Sequence, residues 1–331
     1  MELDKRFPYS KDSLQVFYHP DCRLHEVGEG HPETPARLDA ILLGCKQLPA
    51  HLPVSFRIPA PARMDELARV HDRGYLHLLE SCCRRGRPYF MSPDNHIGPH
   101  TFRAALAAGG CALALAATLL DRGAGFALTR PPGHHAGRKV AEGFCFINHI
   151  ALAIETIRQK EPAATFLVVD FDVHHGNGID YLYDDDPRVF YYSLHGEPEH
   201  IFPNTGYKHE TGRGAGKGYT RNITLSLDSS GDDWLRQFKV NLTDFEKMIR
   251  PDYLLVGAGF DAHRDDPFGA MAVEDIHFLE AVRCLEKVAA DHCSGRIGLF
   301  LEGGYSTSVL QRLVPEVIAV VAAGRPTLSG C

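Results

Sequence analysis

Asp172 and His174 lie two positions apart, shortly after the apolar run Thr165–Val169. In extended backbone, residues i and i+2 point to the same side, so an Asp oxygen and a His nitrogen are presented together. Asp261, which follows a second apolar run, supplies a third possible ligand. Three nitrogen or oxygen ligands with an open fourth position are typical of catalytic zinc. Without a cysteine ligand, iron, cobalt or manganese would also fit.

Two adjacent histidines, His134 and His135, follow Pro-Pro-Gly. Histidines on a tight turn are well suited to proton transfer near neutral pH. Asp170 could accept a hydrogen bond from one of them, and Asn177 could orient the other. A carboxylate partner raises the basicity of a histidine more than an amide partner does. We therefore expect the two histidines to differ in charge state.

Tyr305 follows Glu302-Gly-Gly, and glycines permit close backbone approach and unusual φ values. A tyrosine hydroxyl at this position could donate a hydrogen bond to a carbonyl oxygen that is becoming an oxyanion. The segments that contain Phe144 and Phe202 are candidate apolar walls of a narrow channel.

Each of these features also has a purely structural interpretation when it is considered alone. Asp172 could cap a helix, and His174 could be a buried, hydrogen-bonded histidine. The paired histidines could lie on an exposed loop, and Tyr305 could be an ordinary aromatic residue at a turn. Their presence together in one chain favours the metal site.

The elements that must position these residues are predicted from apolar runs and helical patterns. The predicted strands are Leu14–Tyr18, Gly125–Leu128, Thr165–Val169, Val189–Ser193, Tyr253–Val256 and Ile297–Leu301. The predicted helices are Pro35–Gln47, Tyr75–Arg84, Pro99–Leu120, Ile147–Gln159, Asp232–Met248, Val273–Ala290 and Ser308–Ala323. Strands that alternate with helices predict an α/β fold with a mostly parallel sheet covered on both faces. The chain shows no repeat and no linker, which predicts a single domain over residues 1–331.

Four of the predicted strands are followed by polar, glycine-containing segments, and these segments hold all the candidate residues named so far except Phe144 and Phe202. In open α/β sheets, ligands bind outside the carboxyl ends of the strands. We therefore expect the chemistry at one edge of the sheet.

Composition excludes some classes of protein. The net charge of −7, from 35 basic and 42 acidic residues, does not suggest a nucleic-acid binder. The 9 cysteines are odd in number and contain no CxxC pair, which favours a reduced, cytoplasmic chain. Met1–Lys11 has no apolar core typical of a signal peptide. The uncharged run Ala104–Leu120 is shorter than the about 20 residues of a membrane span, so we predict a buried helix and no membrane partner.

Taken together, the motifs resemble the zinc-dependent histone deacetylase family, which includes bacterial acetylpolyamine and acetoin-utilisation-type proteins. The matching stretches occur in the family's order and are Arg130–Ala136, Gly143–Asn148, Val169–Gly178, Ser193–His195, Gly259–Asp261 and Glu302–Tyr305, with a further similarity at His31–Arg37. Asn177 occupies a position that is Asp in one branch and Asn in another, and it indicates the class II-like branch.

The resemblance implies the arginase–deacetylase α/β fold and hydrolysis of a linear amide. It implies Asp172, His174 and Asp261 as ligands of zinc, with iron or cobalt as alternatives. The metal would activate water and polarise the amide carbonyl.

The resemblance also implies roles for the residues around the metal. His135 would be the general base and then the general acid toward the leaving amine. His134, paired with Asp170, would be its electrostatic partner, and Tyr305 would bind the oxyanion. The implied walls of the acyl-lysine tunnel are Gly143, Phe144 and Phe202.

Two monovalent-cation sites are implied in the same way. A structural potassium ion would lie near Asp170, Asp172, His174, Ser193 and Leu194. A second, weaker site would involve Tyr183, Asp186, Val189 and Tyr219.

The substrate is predicted from two positions at the rim of the site. Asp94 matches an aspartate that holds the substrate backbone in relatives. Phe268 falls at a position that is acidic in some polyamine-selective relatives, and an apolar residue there provides no charge for a distant ammonium. This favours acyl-lysine over an acylated small amine such as acetylpolyamine, although acidic residues close to this position oppose the inference. They are Asp265, Asp266, Glu26 and Glu29.

Two rival functions remain open at this stage. An arginase-like enzyme with two metals would need more carboxylates than Asp170, and it would leave the histidine pair and Tyr305 unexplained. An inactive protein that only binds acylated ligands would be expected to lack a ligand, the base or the tyrosine, and all are present. The sequence does not define the oligomeric state.

Overall fold

The predicted strands lie side by side at the centre of one parallel sheet. The computed structural model describes residues 3–269 and 271–324; Met1, Glu2, Ala270 and residues 325–331 lie outside this part, as do the ends of the predicted domain. The strands are β1 (Leu14–Phe17), β2 (Val54–Arg57), β3 (Tyr89–Phe90), β4 (Ser92–His96), β5 (Gly125–Ala127), β6 (Phe166–Asp170), β7 (Val189–Gly196), β8 (Thr220–Leu225), β9 (Tyr253–Ala258) and β10 (Ile297–Leu301).

Within the described residues, eight of these strands form one sheet in the order β2-β1-β5-β10-β9-β6-β7-β8, and every neighbouring pair is parallel. The strands β3 and β4 form a separate antiparallel hairpin. The expectation of a parallel sheet at the centre of an α/β fold is confirmed.

Helices cover both faces of the sheet. They are α1 (Leu3–Arg6), α2 (Ala36–Cys45), α3 (Met64–Leu67), α4 (Arg73–Arg84), α5 (Thr101–Leu120), α6 (His149–Arg158), α7 (Asn177–Tyr183), α8 (Gly231–Leu242), α9 (Asp275–His292) and α10 (Thr307–Ala323). Alternate residues of β6 face opposite cores, as strand geometry requires. Leu167 and Val169 pack in the core that contains α2, α8, α9 and α10, whereas Phe166 and Val168 pack in the core that contains α4, α5 and α6.

The sequence prediction was incomplete at the edges of the sheet. It missed β2 and β8, which are the two outermost strands, because edge strands keep polar residues and lack a continuous apolar run. The helix predicted over Asp232–Met248 is divided, since α8 ends at Leu242 and a 3₁₀ helix spans Thr243–Lys247. Thr and Asp compete with the helical backbone for hydrogen bonds, which favours an end at this point.

The helix α5 agrees with the prediction of a buried helix. It is the one helix of the described residues that is long and apolar enough to cross a membrane, and 61% of that window is buried inside the fold. It packs against α6 and against β1, β5 and β10. Its apolar character is therefore accounted for by packing in the core.

The loops predicted to carry the chemistry follow four consecutive strands in the sheet order, β5, β10, β9 and β6. Because these strands are parallel, their carboxyl ends meet at one edge. The buried Arg130, just after β5, fixes an early loop there by donating to the carbonyl oxygens of Cys22, His25 and Glu33.

Candidate active site

The side chains of Asp172, His174 and Asp261 meet at the carboxyl edge of the sheet. Their ligand atoms all lie within 4.8 Å of one another. His174 Nδ1 is 3.0 Å from Asp172 Oδ1 and 3.1 Å from Asp261 Oδ2. Tetrahedral zinc with bonds of about 2.1 Å separates neighbouring ligands by roughly 3.4 Å, so the triad fits a metal after a small outward adjustment.

The two carboxylates are held by backbone amides on their other oxygen atoms. The N–H of Gly303 donates to Asp172 Oδ2 at 2.7 Å, and the N–H of Val173 donates to Asp261 Oδ1 at 2.8 Å. Asp172 Oδ1 and Asp261 Oδ2 are the atoms that face His174. Such outer hydrogen bonds orient metal ligands before the metal arrives.

The local backbone differs in one detail from the sequence prediction. Asp172 and His174 follow β6, which ends at Asp170, but they lie in bends and not in the extended backbone from which their common orientation was predicted. The alternation of sides nevertheless continues into the loop, since Phe171 and Val173 are buried in the apolar core.

The histidine pair has the two predicted partners. His134 Nδ1 is 3.0 Å from Asp170 Oδ2, and His135 Nδ1 is 2.8 Å from Asn177 Oδ1. The two imidazole rings lie 4.0 Å apart, and the ring of His135 is 6.1 Å from that of His174. Both histidines are buried, and His135 lines the cavity that opens to solvent.

The surroundings of the two histidines push their pKa values apart. Burial alone would lower the pKa of His134, but the carboxylates of Asp172 and Asp170 outweigh it and raise this pKa to about 10. Burial, together with the neighbouring His134 and His174, lowers the pKa of His135 well below 6.5. The expected difference in charge state therefore follows from burial and from the neighbouring charges.

The carboxylates of Asp172 and Asp261 also change the pKa of His174. Burial alone would lower this pKa, but the hydrogen bonds to the two carboxylates outweigh burial and raise it to about 10. A divalent cation at the triad competes with this proton, because only the neutral imidazole is a ligand. Two carboxylates and one imidazole thus form a donor set that fits a divalent metal ion.

Tyr305 faces the same space from the loop after β10. Gly303 permits the close approach, because a Cβ atom there would lie 2.2 Å from Asp261 Oδ2. Gly304 adopts a φ of +108°, which L side chains rarely adopt. The ring of Tyr305 lies over the guanidinium of Arg37 at 5.0 Å, and Phe144 and Phe268 contact it edge-on at 6.0 Å and 5.2 Å.

A cavity of about 320 Å³ leads from the surface to His135, His174 and Tyr305. Its lining combines these residues with two apolar walls and a polar rim: Asp94, Gly143, Phe144, His200, Ile201, Phe202 and Phe268. The volume is typical of a small ligand site. All five residues predicted to contact the substrate therefore lie on one cavity.

Gly143 leaves no room for a side chain in the wall. A Cβ atom there would lie 2.2 Å from His135 Cδ2 and 2.8 Å from Phe202 Cε1. Gly143 and Phe144 both have positive φ values, 55° and 66°. The buried side chain of Asn95 holds this turn by accepting a hydrogen bond from the N–H of Phe144 at 2.8 Å.

Several functional neighbours were missed by the sequence reasoning. The buried Glu302 accepts hydrogen bonds from the N–H groups of Gly133 and His134 at 2.7 and 3.1 Å, and burial raises its pKa to about 7. Glu142 accepts a hydrogen bond from Asn177 Nδ2. Glu302 lies in the same motif as Tyr305. A charged residue directly after an apolar strand was the signal in the sequence that could have identified it.

The interpretation of Asp266 as an acidic residue near the rim is corrected by the structure. Its acidic side chain counted against the prediction of an apolar rim, but it is buried and accepts hydrogen bonds from the backbone N–H groups of Tyr305 and Ser306. It therefore does not present its charge to a substrate.

Three of the residues predicted to bind potassium are close together in the sheet. Asp170 is the register partner of Ser193 on the neighbouring strand β7, and Leu194 follows it. All three are buried. Of the residues of the second predicted site, Asp186 donates its N–H to the carbonyl of Tyr183, and Val189 donates its N–H to that of Asp186.

Comparison with known proteins agrees with this geometry. The sequence of this chain matches the family model of the histone deacetylase domain over residues 31–321.

The chain belongs to the histone deacetylase family.

Relatives within the family cover most of the chain. A probable deacetylase of Methanothermobacter thermautotrophicus is 36% identical over 90% of this chain and 88% of its own length. The human polyamine deacetylase HDAC10 is 33% identical over 95% of this chain and 49% of its own length. The crystal structure of an acetylpolyamine aminohydrolase from Burkholderia pseudomallei superimposes with a TM-score of 0.82 at 28% identity, covering 95% of this chain and 100% of that one.

These findings confirm the arginase–deacetylase fold and the assignment to an enzyme that hydrolyses amides. This member of the histone deacetylase family is a metal-dependent deacetylase.

Proposed function

We propose that this deacetylase removes the acyl group from acyl-lysine side chains of proteins or peptides. The observation that carries the proposal is the apolar rim at Phe268, whose side chain is 44% exposed and lies at the mouth of the narrow cavity. An apolar side chain at this position stabilises the aliphatic stem of lysine and does not attract a second ammonium group.

We assign the metal to Asp172, His174 and Asp261 and propose that it is zinc. A divalent ion bound there supplies a Lewis acid that activates water and polarises the amide carbonyl. The oxygen and nitrogen donors would also accept iron or cobalt, so the choice of ion is the part of the assignment that rests on the family.

The proton transfers are assigned to His135. Its lowered pKa keeps it neutral at pH 7, so it can take a proton from the attacking water and return it to the leaving amine. Asn177 orients this ring through Nδ1 and leaves Nε2 free to face the cavity. The cation on His134, paired with Asp170, adds positive charge beside the reacting atoms.

Tyr305 is assigned to the carbonyl oxygen. Its hydroxyl would donate a hydrogen bond that strengthens as negative charge develops on this oxygen. Burial holds the pKa of Tyr305 well above 10, so the hydroxyl remains protonated and able to donate. Gly143, Phe144 and Phe202 form the walls that exclude water from the acyl chain and the lysine stem.

An acylated polyamine is the second candidate substrate. The relatives named polyamine deacetylase and acetylpolyamine aminohydrolase favour it. Asp94 can accept hydrogen bonds from a peptide backbone or bind an ammonium group, so its presence is compatible with both substrates.

The test compares kcat/KM on acetyl-lysine peptides, longer acyl-lysine peptides and N-acetylated polyamines. We expect the wild-type enzyme to prefer a peptide, and Phe268→Glu to shift the preference toward the polyamine by about 10-fold. Phe268→Leu keeps an apolar side chain and is the control. Faster turnover of acetylpolyamine than of every peptide by the wild-type enzyme would reject the acyl-lysine proposal. Binding of acetyl-lysine without turnover of any substrate would indicate an inactive binding protein.

We also propose a structural potassium ion near Asp170, Asp172, His174, Ser193 and Leu194. The register of β6 and β7, which sets Asp170 beside Ser193, supports a shared oxygen site.

We also propose a cytoplasmic location, which is supported by the eight free cysteines among the described residues.

A further inference from the structure

The loop that follows the metal ligand Asp261 touches Tyr305 at two points. The carboxylate of Asp266 accepts hydrogen bonds from the backbone N–H groups of Tyr305 and Ser306, the latter at 2.8 Å. The ring of Phe268, two residues further on, packs edge-on against the ring of Tyr305 at 5.2 Å. One short loop therefore contacts the metal site, the backbone of Tyr305 and its side chain.

Asp266 is built into this position. It is 6% exposed, and its second oxygen accepts a hydrogen bond from the N–H of Phe268 at 3.0 Å. Its own N–H donates to the carbonyl of His263, and its carbonyl accepts from the N–H of Gly269. The carboxylate is thus fixed by its own loop before it reaches Tyr305.

The segment that carries Tyr305 is held by hydrogen bonds on both sides of its glycines, and Arg37 also donates to the carbonyl of Gly304. Two glycines, Gly303 and Gly304, precede the tyrosine, and glycine backbone has more conformational freedom than any other. Upstream, the N–H of Phe260 donates to the carbonyl of Gly303 at 3.1 Å. Asp266 provides the corresponding restraint downstream of the glycines.

We propose that Asp266 is a positioning residue that fixes the hydroxyl of Tyr305 relative to the metal ligands. The inference rests on the proposed function, because it assigns to Asp266 an effect on the oxyanion contact of Tyr305. A carboxylate that accepts two adjacent N–H groups makes charge-assisted hydrogen bonds, which are shorter and stronger than neutral ones. The carboxylate sets the direction in which the tyrosine side chain leaves the backbone.

A simpler role must be separated from this one. Ser306 is the N-cap of α10 and makes no side-chain cap hydrogen bond, so Asp266 also stabilises the beginning of that helix. A cap alone would change thermal stability but would not act through the Tyr305 hydroxyl. The decisive experiment is therefore a double-mutant cycle between Asp266 and Tyr305.

We expect Asp266→Asn to lower kcat about 10-fold with little change in KM at full metal occupancy. Tyr305 and Ser306 donate to one oxygen of Asp266 and Phe268 donates to the other. The amide has only one acceptor oxygen and no charge, so its NH2 group must face one of these donors and the remaining hydrogen bonds lose their charge assistance. In the background of Tyr305→Phe, the same substitution should have almost no further effect on kcat. Asp265→Asn removes the same charge from the neighbouring, exposed residue and should leave kcat within about twofold of wild type. Equal losses in both backgrounds would overturn the proposal and leave only the cap.

A measurement independent of turnover completes the test. Hydrogen exchange of the Tyr305 and Ser306 amides should accelerate in Asp266→Asn and stay unchanged in Asp265→Asn. Unchanged protection of both amides in Asp266→Asn would overturn the inference. Failure of the proposed function would be seen differently, as a wild-type protein without turnover of any acyl amide, and the exchange measurement would still decide the role of Asp266.

Discussion

His135 Nδ1 lies 2.8 Å from Asn177 Oδ1, and the same amide donates through Nδ2 to Glu142. The proposed base is therefore oriented by a neutral partner, while the negative charge of Glu142 stays one residue further away. Its neighbour His134 instead pairs directly with the carboxylate of Asp170 at 3.0 Å. This difference adds to the effects of burial and of the neighbouring charges on the pKa of each ring, and together they predict how activity depends on pH.

Activity should persist to lower pH than an ordinary histidine would allow. The base must be unprotonated, and burial together with His134 and His174 lowers the pKa of His135 well below 6.5. As pH falls, kcat/KM should therefore decline only below pH 6.5, when His135 takes up a proton. A pH profile measured at saturating metal checks this; an acid limb centred above 6.5 would contradict it.

Moving the negative charge next to His135 should shift the acid limb of the pH profile to higher pH. In the double variant Asn177→Asp and Glu142→Gln, the carboxylate at position 177 contacts Nδ1 of His135. The amide at position 142 then donates a hydrogen bond to that carboxylate. An adjacent carboxylate raises a histidine pKa by about one unit or more. The control is Glu142→Gln alone, which removes a charge but keeps the amide at position 177. Coincident pH profiles for the two variants would show that position 177 does not control the base.

Removal of the proposed base or of the oxyanion donor should affect kcat strongly. His135→Ala and Tyr305→Phe should each reduce kcat by roughly 10²-fold or more, because they remove proton transfer and a hydrogen bond made in the transition state. Metal content should remain that of the wild-type enzyme in both variants. Wild-type turnover in either one would disprove the role assigned to that residue.

Loss of one carboxylate should release the metal. Asp261→Ala removes a ligand and also leaves the N–H of Val173 without its acceptor. We expect metal content after dialysis to fall to a small fraction of the wild-type value, and activity to fall with it. Asp265→Ala, on the same loop but outside the ligand set, is the control. Full occupancy in Asp261→Ala would remove this residue from the ligand set.

The wall of the cavity should not tolerate a single added methyl group at Gly143. A Cβ there would lie 2.2 Å from His135 Cδ2, and the φ of +55° is unfavourable for alanine. Gly143→Ala should therefore lower kcat/KM by at least about 10-fold. Gly137→Ala is the matched control, because its Cβ would only meet Val140 at 3.6 Å. Similar activity of both variants would show that the wall can move aside.

The sequence predicted the residues of the candidate site better than the residues that hold them in position. Each proposed ligand or proton carrier belongs to a short motif directly after an apolar strand, so local spacing and strand topology were enough to bring Asp172, His135 and Tyr305 together. Asp266 acts on Tyr305 through a hydrogen bond between loops 39 residues apart, and nothing local marks that relationship. Its acidic type suggested a rim residue, whereas burial and two backbone donors give it another role.

The edges of the fold were missed for a related reason. The strand β8 has a burial pattern in which exposed and buried residues mix, as expected where only one neighbour is present. Central strands such as β6 and β9 are buried throughout and were found from their apolar runs. Pattern alone therefore located the middle of the sheet, where the site lies, more reliably than its margins.

The placement of the two carboxylates proposed to bind the metal has a consequence for how the protein matures. Asp172 follows β6 and Asp261 follows β9, two strands that pair only after distant parts of the chain have met. Unlike a small zinc finger, whose ligands gather around the ion and fold with it, this chain must complete its central sheet before the ligands come together. We therefore expect metal loading to be a late step of biogenesis, performed on a folded apoprotein that survives chelation and can be recharged with a different ion.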